Sequence, residues 1–207
     1  MTVSRKNIAR TNSIGYITCA WAANFTPLRL TKGERCTALL MCGNLKVMAA
    51  RLDTVCRYIC EKSGWTVTNL QLQKLLYLSQ MIYIGRSGGN RLADADFEAW
   101  DYGPVEPKIY KKVRMFGKDR IKDVFPEARN FADGDPRSLL IDELCQDLLR
   151  RRAGELVELT HWDGGAWAKN YVPGARGVKI PDADILREYR DRIACGNLRD
   201  NRSNSSA

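Results

Sequence analysis

The 207-residue sequence predicts a mainly α protein: a compact bundle of about five to seven helices with a short extended segment near residues 97–102. Apolar residues recur at i, i+3, i+4 and i+7 in several stretches, the spacing of one helix face. Those stretches open at capping residues or prolines and stop at glycines. The alternation of large apolar and polar residues that marks a strand occurs at 97–102.

Residues 50–63 place Leu52, Val55, Cys56, Ile59 and Cys60 on one stripe, and Gly64 follows as a stop. Thr68 stands three residues before Gln71, the signature of a capping box. Behind it, Leu72, Leu75, Leu76, Ser79 and Ile82/Tyr83 form a core stripe that Leu78 and Met81 widen, so this helix should be the most buried. Gly85, Gly88 and Gly89 are expected to end it. FEAWDY (97–102) reads as extended chain around a turn, and Gly103-Pro104 breaks it. Pro107 suits the first turn of a helix with Ile109, Val113 and Phe116 on one face, closed by Gly117. Residues 118–134 read as loop. Asp135-Pro136 opens a helix striped by Leu140, Leu144 and Leu148, and Gly154 is expected to break it before a short ELVELTH turn. Pro181-Asp182 opens a last helix with Ile185, Tyr189 and Ile193 inward.

The net charge of +9 is unevenly placed. Residues 1–47 hold seven basic side chains and one acid, a net +6, whereas the remainder holds 26 and 23, a net +3. A nucleic-acid-binding face neutralises several phosphates, and the body average argues against one while leaving room for a local patch. Residues 1–47 resemble a transit peptide in composition but lack its amphipathicity. They are expected to be a disordered basic extension, with Met48 as the natural start, 48–195 as the domain and 196–207 as a disordered tail.

Seven cysteines at irregular spacing, with no CxxC pair and a single histidine, offer no structural zinc set. Cys56 and Cys60 read as small buried hydrophobes. Free thiols and the lack of a clean signal sequence suggest a cytoplasmic protein. No apolar run reaches the roughly 18 residues that cross a bilayer. No metal, cofactor or membrane partner is expected.

Three pieces stand in order: TNLQLQKLLY (68–77), FEAWDYGPVEPKIY (97–110) and ELTHWDGGAW (158–167). Together they resemble the Panacea domain, the SocA-like antitoxin family, over roughly residues 50–170. Glu98, Ala99, Trp100, Tyr102, Gly103, Pro104, Val105, Pro107 and Tyr110 all fall on the family's middle motif. Two departures are local. The chain has Gln80-Met81-Ile82-Tyr83 where an aromatic or His often follows, and Gly165-Ala166 where Ser-Pro usually precedes the last Trp. The resemblance implies a mainly helical antitoxin, encoded beside a toxin gene, often on a prophage or other mobile element, that blocks the toxin by direct contact. Some members are thought to hand the toxin to a protease, and some are phage-associated proteins with no assigned partner.

The candidate toxin-binding or family-motif residues are Lys74, Tyr77, Trp100, Tyr102, Gly103, Pro104, Tyr110, His161 and Trp167. Trp100, Tyr102 and Trp167 suit either binding anchors or core aromatics that tie the Gly-Pro turn to the helices, and the second reading is favoured. Lys74 reads by default as a snorkelling lysine and Tyr77 as core or rim. His161, the sole histidine, reads as a structural link to a backbone carbonyl or to Glu158, because no nucleophile accompanies it. Arg150-Arg151-Arg152 suits a helix C-terminus. A binding protein, not an enzyme, is expected, with nucleic-acid binding as the alternative.

Overall fold

The computed structural model describes residues 48–204, with side chains through residue 195. The expectations for 1–47 and 205–207 lie outside it. The described residues divide at Arg190 into two units, 48–190 and 191–204. The latter is helical, including much of the stretch expected to be a disordered tail. The sequence motifs all lie in the former unit.

Seven α-helices and one two-stranded sheet make up the described residues: α1 (Leu52–Lys62), α2 (Asn69–Arg86), β1 (Glu98–Trp100), β2 (Gly103–Val105), α3 (Pro107–Val113), α4 (Pro136–Leu148), α5 (Ala153–Thr160), α6 (Ala166–Asn170) and α7 (Asp182–Asn204). The mainly helical class is as the sequence implied. Among the described residues no helix is long and apolar enough to cross a membrane.

Helix α2 is the centre. It buries 13 of its 18 residues, more than one face can supply, and it packs against α1, α3, α4, α5 and β2. The capping box forms as the spacing requires: Gln71 N–H donates to Thr68 Oγ1 at 3.4 Å and Thr68 N–H to Gln71 Oε1 at 3.1 Å. Gly85 does not end the helix. It sits inside because a Cβ there would come within 2.1 Å of the Tyr189 ring. The stop comes at Gly88 and Gly89, with φ of +71° and +110°.

A central helix without a polar face must satisfy its buried polar side chains internally, and two glutamines do so by acting as backbone partners. Gln80 accepts from Ala93 N–H at 3.0 Å and donates to Ala93 O at 3.3 Å. Gln73 accepts from Glu106 N–H at 2.8 Å. The irregular chain from 90 to 106 is thereby fixed to α2 at both ends.

The 97–102 segment and residues 103–105 form a hairpin: β1 and β2 pair antiparallel, Glu98 opposite Val105 and Trp100 opposite Gly103. The other edge of β1 is covered by residues 178–180, with Ala99 N–H donating to Val178 O and Ile180 N–H to Phe97 O at 2.9 and 2.8 Å. Both edges of β1 are therefore paired.

Pro107 opens α3, and Glu106 caps it by accepting from Ile109 N–H at 2.7 Å. The α-helix stops at Val113 and tightens into a 3₁₀ turn, Arg114–Phe116, that leaves Phe116 half-buried, not in the core. Gly154 lies inside α5, not at a break: α4 has ended at Leu148, and Glu155 accepts from Arg152 N–H at 2.7 Å to start the next helix. In α7, Ile185 is buried, but Tyr189 and Ile193 are half-buried, and Glu188 takes the fully buried place. Of the arginine triplet, Arg151 pairs with Asp147.

Cys56, Cys60 and Cys145 are buried free thiols. Burial pushes Cys60 and Cys145 up to about 12, as befits packing groups without nucleophilic character. No group of metal-binding side chains occurs among the described residues.

Candidate functional site

The site is built on Gly103, where the chain turns at φ +95°. A side chain at this position is doubly forbidden. The φ belongs to glycine, and a Cβ would meet Lys74 Nζ at 2.7 Å, Thr160 Oγ1 at 2.8 Å and His161 Nε2 at 3.1 Å. The three sequence motifs, far apart along the chain, thus converge on one hydrogen atom.

Lys74 does not snorkel. It is wholly buried, because β2 and α5 cover its side of α2, and its ammonium donates to Pro104 O at 2.9 Å. His161 caps α5, its backbone N–H donating to Val157 O at 2.9 Å and to Glu158 O at 3.2 Å. Its ring stacks flat on Trp167, centroids 3.7 Å apart and planes 1° apart, and Trp167 stacks in turn on Tyr171 at 4.7 Å. Its Nε2 is buried without a hydrogen-bond partner among the described residues. Burial, then the Lys74 charge, lowers its pKa and favours the neutral ring. Trp167 Nε1–H donates to Trp100 O at 2.8 Å, which ties α6 to the hairpin turn.

Trp100 lies half-buried against Tyr110, ring centroids 4.8 Å apart, and donates to Glu98 Oε2 at 2.9 Å. Tyr102, by contrast, is 71% exposed and is no core aromatic. Pro104 is buried in β2. Tyr77 is brought to a different place: it is buried against Phe97, and its hydroxyl donates to Glu188 Oε2 at 2.6 Å. The same oxygen accepts from Ala166 N–H at 2.9 Å. Gly165 lets the carboxylate approach, since a Cβ there would stand 3.2 Å from it. The departure from Ser-Pro therefore has a use, because proline at 166 would carry no N–H to give.

Glu188 is the buried link in this layer that the sequence does not disclose. An apolar stripe laid on α7 runs i, i+4 from Ile185 to Tyr189, whereas the buried face runs i, i+3 to Glu188. Both spacings are legitimate on a helix, and polarity alone favours the wrong one.

Burial holds the Lys74 amine well below the ordinary lysine value of 10.5, at about 7. The unfolded chain keeps that proton up to about 10.5 and the folded chain releases it near 7, so stability rises with pH between them, by up to about 1.4 kcal/mol per unit. The thiols oppose this above 9, where the unfolded chain ionises them and the folded chain does not. Urea unfolding is therefore expected to show stability rising from pH 7 to about 9 in the native chain and flat in Lys74→Met. Equal slopes in the two would contradict the assignment.

Next to this layer a groove of about 690 Å³ is lined by residues including Asn69, Gln73, Trp100, Tyr102, Tyr110, Arg114 and Arg176. The body is not evenly neutral here. Residues 107–123 carry Lys108, Lys111, Lys112, Arg114, Lys118, Arg120 and Lys122 against Asp119 and Asp123, a net +5. Of these cations only Lys112 makes an ion pair among the described residues, with Asp53.

The Panacea domain of SocA-like antitoxins matches residues 72–168. The Antitoxin SocA of Caulobacter vibrioides (strain NA1000 / CB15N) is 32% identical over 138 residues, covering 60% of this chain and 72% of that protein. No solved structure matches. The matched stretch runs from α2 to α6 and contains Lys74, the hairpin, His161 and Trp167, the parts that meet at Gly103; the chain belongs to the SocA-like antitoxin family and carries its Panacea domain.

Proposed function

We propose that the chain neutralises a cognate toxin, encoded by an adjacent gene, by gripping it directly in the cytoplasm, and that it catalyses no reaction. The similarity to an antitoxin across 72% of that protein's length carries this reading. The geometry supports it in a second way. Three polar groups of the motifs are spent within the fold: Lys74 on Pro104 O, Trp167 on Trp100 O, Tyr77 on Glu188. Their work is to make a rigid platform, and rigidity lowers the entropy lost on binding. Exposed Tyr102, Arg114 and Met115 stand on its surface, and Tyr and Arg are among the residue types that dominate interface energies.

Co-expression with the neighbouring toxin tests it. Growth should be restored by the native chain and also by His161→Gln, which keeps a flat polar side chain but removes the imidazole. Unchanged toxicity with the native chain would refute the antitoxin role. Rescue that depends on the imidazole while the variant still folds would point to catalysis.

A further inference from the structure

The groove beside the Trp100 turn has three properties that describe its occupant. Its floor is apolar and aromatic, with Trp100 edge-on to Tyr110. In its wall stands Asn69, the first residue of α2 and only 8% exposed, whose Oδ1 is buried with no hydrogen-bond partner among the described residues. An acceptor in that state is costly to leave unpaired, and an incoming N–H would satisfy it. At its rim are Arg114 and Arg176, both exposed and neither in an ion pair among the described residues.

We propose that this groove receives an extended acidic segment of a partner protein. Side chains of an extended peptide alternate in direction. One set can rest on Trp100 and Tyr110 while the other turns its carboxylates to Arg114 and Arg176, whose guanidinium forks match carboxylate geometry. A main-chain N–H then pairs with Asn69 Oδ1 as that side chain, covered in the free protein, turns toward the segment. Nucleic acid would share the charge preference; the antitoxin reading favours a protein, and the thymidine strand below decides between the two. The proposal rests on the antitoxin reading in that the toxin would supply the segment.

The test is fluorescence anisotropy on the full chain with three labelled probes: a seven-residue peptide alternating Glu or Asp with Leu or Phe, the same peptide with Lys for each acid, and a twelve-nucleotide thymidine strand. Saturable, salt-sensitive binding of the acidic peptide alone is expected, weakened at least tenfold in the R114E/R176E double variant and in Asn69→Leu. Both arginines are exposed, so the double variant remains decisive even if Asn69→Leu fails to fold. No saturable binding, equal binding of the Lys peptide, tighter binding of the thymidine strand, or equal affinity in the double variant would each overturn the proposal. Growth rescue separates the two levels. If the native chain and the double variant both rescue, the groove is refuted and the antitoxin reading stands. If the native chain does not rescue, that reading fails while the peptide result is judged on its own.

Discussion

Gly103→Ala is expected to destabilise the fold by roughly 3 kcal/mol, the sum of about 1–3 for a non-glycine residue in this backbone region and a similar amount for overpacking. The new methyl would fall 2.7–3.1 Å from Lys74 Nζ, Thr160 Oγ1 and His161 Nε2, and Lys74 is fully buried. At about 2–4 °C per kcal/mol for a chain of this size, the midpoint of a thermal scan should fall by roughly 6–12 °C. Gly117 is the control. Its backbone, φ +53° and ψ −114°, is also a glycine conformation, but a Cβ there meets nothing within 4 Å, so Gly117→Ala should carry the backbone cost of about 1–3 kcal/mol alone, without the overpacking. Equal losses in the two variants would mean that the three motifs do not crowd Gly103.

Glu188→Ala is expected to cost about 2–4 kcal/mol by urea unfolding. One carboxylate oxygen accepts from Tyr77 O–H and Ala166 N–H, and each buried donor left without an acceptor costs about 1–3 kcal/mol, partly offset by removing a buried charge. Glu188→Gln retains an acceptor and should cost half as much or less. Tyr77→Phe should cost about 1 kcal/mol and, in combination with Glu188→Ala, add almost nothing, since the two share one bond. Full additivity would contradict the shared acceptor. The residue lies beyond the 72–168 stretch that the family model matches, so the loss would also show that the domain needs α7 to close it.

These two residues mark what the sequence discloses and what it withholds. The capping box at Thr68 and the proline openings of α3 and α4 are local: each is dictated by residues within a few positions, and each is where the spacing puts it. The first strand of the hairpin is too, but the turn falls at 101–102, and Gly103-Pro104, expected to break the chain, opens β2. The family motifs are equally legible, because they are runs of unusual residues in fixed order. What the sequence withholds depends on which element covers which. Lys74 carries the same residue type whether it reaches water or not, and only the layer of β2 and α5 above it decides. Gly85 reads as a helix stop until the Tyr189 ring occupies the space its missing side chain leaves. His161 sits in a loop-like motif that suggests a hydrogen bond, and its stack on Trp167 comes from α6 folding back. The basic run at 107–123 is visible in the letters but vanishes when charge is averaged over the whole body.

Direct contact is the claim on which the functional reading depends, and mixing the purified chain with its purified neighbouring toxin tests it most directly. Size-exclusion chromatography with light scattering should show a single complex of defined stoichiometry that persists in moderate salt. Toxin that loses its activity in the mixture yet elutes alone and chemically altered would contradict it.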